Sequence, residues 1–65
     1  MPVIQVTMGP TSQEIKKELI HRISADAIEV TGIPANEFTV LIHELELENI
    51  GRAGKTIAEA RAEAR

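Results

Sequence analysis

The chain contains no cysteine, tryptophan or tyrosine, and Phe38 is its one aromatic residue. Without cysteine, disulfides and thiolate metal sites are excluded. Without stacking side chains, and with a formal net charge of −3, the surface does not suit nucleic acid. No apolar run approaches the roughly 20 residues that span a bilayer. No basic segment leads into an apolar one, so no signal peptide is expected and the protein is placed in the cytoplasm, with no membrane partner. At 65 residues the sequence provides for one domain, residues 1–65, and no repeat or linker divides it. A chain this short leaves much of its surface in water. Disulfides, a metal or self-association are the usual remedies. With the first excluded, and an aliphatic-rich 43% apolar content lacking large anchors, self-association is the expectation.

What is present is well ordered along the chain. From Val3 to Met8 the residues alternate, with Ile4, Val6 and Met8 on one face, which is the period of a strand. Gly9-Pro10 ends it. Thr11-Ser12-Gln13-Glu14 fits a capping box with Thr11 as the cap and Glu14 reaching back, so a helix of about twenty residues is expected from there. Ile15, Leu19, Ile23 and Ala27 recur at four-residue spacing, widened by Ile20 and Val30 into an apolar stripe. Gly32 and Pro34 close the helix. A second strand is expected from Phe38 to Leu45, its centre Val40-Leu41-Ile42 apolar on both faces, as in a strand covered on two sides. Strand, helix and strand make an α+β chain built on a single β–α–β unit, its strands parallel and its crossover right-handed. One helix cannot cover both faces, so a further copy of the chain is expected to complete the core. Residues 49–54 form a glycine loop or hairpin, and residues 55–65, rich in Ala, Glu and Arg, are expected to form a short docked helix or a frayed tail.

The residue with the most chemical potential is Pro2. Loss of Met1 would expose a secondary amine, a group that no side chain provides. An α-amino group titrates at about 7.7–8.0, and burial or a nearby cation lowers that value. A neutral amine near pH 7 is a competent general base, its protonated form a competent acid, and it is also a nucleophile toward carbonyls. On a strand Glu44, Glu46 and Glu48 share one face while His43 is on the other, and His21 stands alone on the helix, so no metal site is expected.

Pro2 opening a strand, Gln5 within it, Ser12 and Glu14 at the helix start, Leu19-Ile20, Pro34 before the second strand, Ile42-x-Glu44 and Gly51-x-x-Gly54 follow one another in a specific order. In these features the whole chain resembles the 4-oxalocrotonate tautomerase family. The resemblance implies a cofactor-independent keto–enol tautomerase, in which the amino-terminal proline transfers the proton between a dienol or enol and its keto isomer and cationic side chains hold a carboxylate and the developing enolate. It also implies a homohexamer assembled as a trimer of dimers, and a small enol or dienol acid, 2-hydroxymuconate-like, as substrate. Three positions depart from the family pattern. Thr11 and Thr39 stand where arginines are expected, and Ile50 where an aromatic is expected. A hydroxyl donates a hydrogen bond but does not replace a bidentate charged fork. These departures count against the usual dicarboxylate. Arg52, between Gly51 and Gly54, is the leading substitute cation, followed by Lys55. The candidate substrate-binding set is therefore Arg52, Thr39, Ile50 and Thr11. Competing expectations are a non-catalytic oligomeric binding protein on the same fold, a proline-dependent dehalogenase or hydratase, and half of a larger ferredoxin-like assembly, the last leaving Pro2 unexplained.

Overall fold

A computed structural model describes residues 1–64. Strand β1 (Val3–Met8) is followed by helix α1 (Gln13–Thr31), strand β2 (Thr39–Glu44), a hairpin of β3 (Gly51–Arg52) and β4 (Lys55–Thr56), and helix α2 (Ile57–Glu63). Single 3-10 turns at Ala35–Glu37 and Leu47–Asn49 lie between them. β1 and β2 pair in parallel, from Val3 opposite Thr39 to Met8 opposite Glu44. The expected β–α–β unit is thus formed.

Because partners in a parallel ladder point to the same side, the register sorts the sheet into two faces. Ile4, Val6, Met8, Val40 and Ile42 share one face and are half-buried. Glu44 belongs to the same face, and its carboxylate reaches Lys16 of α1 at 2.8 Å, which places the helix over this side. The opposite face carries Val3, Gln5, Thr7, Thr39, Leu41 and His43 and has no cover among the described residues. Val3 is 47% exposed there and Leu41 39%.

Both ends of α1 have chemical causes, and one differs from expectation. Ser12, not Thr11, is the N-cap: its Oγ accepts from the Ile15 N–H at 3.2 Å. The helix therefore starts one residue later than the Thr11 capping box requires, and Glu14 falls too near the start to reach back. Thr11 instead donates its backbone N–H to Glu44 Oε2 at 2.9 Å, tying the entry loop to the end of β2. At the other end Gly32 takes φ 73° and donates to the Ile28 carbonyl at 2.9 Å, a left-handed stop that glycine adopts without strain. The second strand is shorter than expected at each end, because Phe38 closes the preceding 3-10 turn and Glu46 opens the next. Glu46 and Glu48 consequently leave the strand face on which the sequence reading had put them with Glu44.

The C-terminal segment is ordered by local chemistry. Ala53 (φ 54°) and Gly54 (φ 80°) lie between β3 and β4 with two consecutive positive φ values, the backbone of a two-residue type I′ turn. Thr56 then caps α2 in a true capping box, its Oγ1 accepting from the Glu59 N–H at 3.0 Å while Glu59 Oε1 accepts from the Thr56 N–H at 3.1 Å. The alternative of a frayed tail is set aside. The Ile57 N–H donates to the Ile50 carbonyl at 2.8 Å and docks the helix start on the loop.

None of the described residues is buried in the single chain. Much of the anticipated helix stripe lies open, with Ile15 54% and Val30 85% exposed. The radius of gyration is 15.4 Å, whereas a compact chain of this length has about 11 Å. The accessible surface is 5144 Å², against about 4,100 Å² for a closed globule of 7.1 kDa. The excess of roughly 1,000 Å² is comparable to one partner's share of a standard interface.

Candidate active site

Pro2 immediately precedes β1 and is half-buried. Its carbonyl accepts from the Thr39 N–H at 3.1 Å, extending the ladder by one bond. The ring nitrogen takes no part in that ladder, since proline has no donor to give. Thr39 is therefore the one candidate that the chain folds directly beside Pro2. Strand alternation turns its side chain onto the open sheet face, with Val3 and Leu41.

The remaining candidates gather elsewhere. Thr11 sits past the far end of β1, held through Glu44. Ile50 and Arg52 line a groove of about 350 Å³ together with Gly9, Leu47, Ile57 and Arg61. From Pro2 to Gly9 the strand runs seven residues, roughly 23 Å at ~3.3 Å per residue. One chain thus carries its amino-terminal proline at one end of the sheet and its arginine groove at the other.

The local geometry of the groove follows from short-range features. Gly9 lets Leu47 approach closely, because a Cβ there would lie 3.2 Å from Leu47 Cδ2. The type I′ turn presents Arg52 on β3, in register with Lys55 on β4. Lys55, the second cation suggested by the sequence, is taken out of consideration, since its Nζ donates to Glu63 Oε2 at 2.7 Å. That pair fastens the hairpin to α2. Of the groove residues absent from the candidate set, Arg61 is the one that carries charge. The signal available for it was the Thr56-x-x-Glu59 box, which sets the start of α2 and hence the face on which Arg61 falls.

Two carboxylates respond electrostatically to this framework. The hydrogen bond from Lys16 holds Glu44 below its ordinary value, aided by the Thr11 N–H and the Lys16 charge. Hydrogen bonds from Thr56 do the same for Glu59. Both are structural anchors, one for the loop after β1 and one for α2. Among the described residues, no group of three or more His, Asp or Glu side chains is arranged to hold a metal.

The single chain is thus a parallel β–α–β unit with an open sheet face, its proline at one end of the sheet and its arginine groove at the other. Comparison with known proteins gives its class. The model of a family described as tautomerase enzyme matches residues 2–60, and the chain belongs to that family. A 2-hydroxymuconate tautomerase of Comamonas testosteroni is 35% identical over 60 residues, covering 91% of this chain and 95% of its own. TomN, a 4-oxalocrotonate tautomerase homologue in the tomaymycin biosynthetic pathway, matches with a TM-score of 0.93 at 29% identity, over 98% of this chain and 100% of that one. A heterohexamer 4-oxalocrotonate tautomerase from Chloroflexus aurantiacus J-10-fl matches with a TM-score of 0.85 at 30% identity, over 91% and 97%. The chain is accordingly an isomerase of the tautomerase type.

Proposed function

We propose that the Pro2 amine, freed by removal of Met1, ketonises a small enol or dienol acid resembling 2-hydroxymuconate. The observation that carries this reading is the position of Pro2, half-buried at the mouth of β1 with only its carbonyl engaged. The neutral amine accepts the enol hydroxyl proton, the oxygen becomes a carbonyl, and the displaced electron pair moves along the conjugated chain. The ammonium then returns a proton to carbon, so the substrate is isomerised with no net change in atoms and no cofactor. The name of the Comamonas relative supports the substrate class.

Substrate is held by Arg52, with Ile50 against its carbon chain and the Thr39 and Thr11 hydroxyls as supplementary donors. Since roughly 23 Å of strand separates Pro2 from the groove, the proline of one copy works against the groove of another. The uncovered sheet face, the excess surface and the heterohexameric relative all support an assembly of copies, and a homohexamer built as a trimer of dimers is the form proposed. The test joins intact mass to ultraviolet assay of 2-hydroxymuconate ketonisation. The expected result is a chain lacking methionine that is active. An active chain that retains Met1 would contradict the reading, because the Pro2 nitrogen would then be an amide without a basic lone pair.

A further inference from the structure

We propose that Arg61 and Arg52 together form a two-guanidinium clamp that holds both carboxylates of an unsaturated diacid in the groove. Both arginines are left without a carboxylate partner among the described residues of an acidic chain. Aspartate and glutamate number 10 against 7 lysines and arginines, so carboxylates are available to neutralise nearly every cation. Lys16, Arg22 and Lys55 are so paired, with Glu44, Glu18 and Glu63. Among the described residues Lys17, Arg52 and Arg61 have no ion pair, and both arginines line the same groove. No acidic side chain lines it among the described residues.

The setting suits an elongated, conjugated anion. Leu47, Ile50 and Ile57 supply apolar wall, and Ala60 on α2 and Ala64 at its C-cap leave the space open. At about 350 Å³ the groove lies at the small end of small-molecule sites, which span roughly 300–1,000 Å³. Each arginine is presented by a locally fixed element: Arg52 by the type I′ hairpin, Arg61 by the capped helix, with Lys55–Glu63 joining the two. A guanidinium fork matches a carboxylate bidentately, and two forks match a diacid. The family model's match ends at residue 60, one residue short of Arg61. The clamp restores a dianion preference that Thr11 and Thr39 would otherwise remove. It rests on the reading of the groove as the substrate site, and deepens it.

The test uses two unreactive six-carbon dienes, (E,E)-muconate with two carboxylates and sorbate with one. Affinities are measured calorimetrically for the assembled parent protein and for Arg61→Ala, Arg61→Lys, Arg52→Ala and Pro2→Ala. The parent should bind muconate at least tenfold more tightly than sorbate. Arg61→Ala and Arg52→Ala should each weaken muconate at least tenfold and narrow its margin over sorbate, while Arg61→Lys recovers part of the loss by keeping charge without the fork. Muconate binding to Arg61→Ala at parental affinity, or equal binding of the two acids by the parent, would overturn the clamp. Pro2→Ala separates the two ideas. If it abolishes ketonisation but binds muconate normally, base and clamp are distinct parts of one site. If the parent fails to ketonise yet binds muconate through Arg61, the catalytic reading falls and the clamp stands.

Discussion

Replacing Leu41 by glutamate puts a carboxylate at the middle of the sheet face that no described element covers. Leu41 retains 39% of its exposure in the single chain. Full burial of a leucine is worth about 1.5–3 kcal/mol, so covering the exposed remainder contributes about 0.6–1.2 kcal/mol per copy. Glutamate forfeits that gain and adds an unpaired charge, whose burial costs at least about 3 kcal/mol. Each copy should therefore associate at least about 100-fold more weakly, at 1.4 kcal/mol per factor of ten. None of the described residues is buried before association, so losing the assembly should also lower Tm and make it concentration-dependent. Sedimentation over a hundredfold range of concentration, followed by circular dichroism melts, reads both effects. Leu41→Met, similar in volume, should assemble as the parent does. If Leu41→Glu sediments and melts like the parent, the open face is not an interface and the reasoning from exposed surface is wrong.

Other consequences follow from single contacts. Ala53 holds φ 54°, so Ala53→Gly should raise the melting temperature by relieving up to about 1 kcal/mol, whereas Ala53→Val should lower it. Thr56→Ala removes the cap of α2 and should cost about 1 kcal/mol, seen as a lower denaturant midpoint. Glu44 is held below its ordinary value by Lys16 and Thr11, so its contribution is complete above the ordinary glutamate value of about 4.3 and is lost as pH falls through the lower folded value. The stability gap between the parent and Glu44→Gln should thus close on acidification and remain constant from pH 5 to 7; a gap that widens in acid would contradict the assignment.

The β–α–β unit was readable because each of its signals is local. Alternation over Val3–Met8, the four-residue spacing of Ile15, Leu19, Ile23 and Ala27, and the Gly32 stop all act within a few residues. The helix start was misassigned because Thr11 and Ser12 are both competent caps, and the choice depends on a distant group. Glu44, 33 positions away, takes the Thr11 N–H and leaves Ser12 to cap. Thr56-x-x-Glu59 carried the same box pattern and proved to be the one that forms both hydrogen bonds. Arg52 is suggested by its glycine loop, but placing Arg61 in the same groove needs the fold-back of α2 onto the hairpin. The separation of Pro2 from the groove was equally invisible in sequence, since it is set by which end of β1 each segment returns to.

The proposed chemistry rests on the amino-terminal secondary amine. Its most direct test is the rate of 2-hydroxymuconate ketonisation by mass-verified, methionine-free Pro2→Ala, compared with the parent at equal assembly. A general acid–base residue accounts for about 10²–10⁴ in rate, and alanine substitutes a primary amine of lower intrinsic basicity and different geometry. The expected result is a fall in kcat/KM of about 100-fold or more, with the sedimentation profile unchanged. A rate within a few-fold of the parent would contradict the claim and assign the proton transfer to another group.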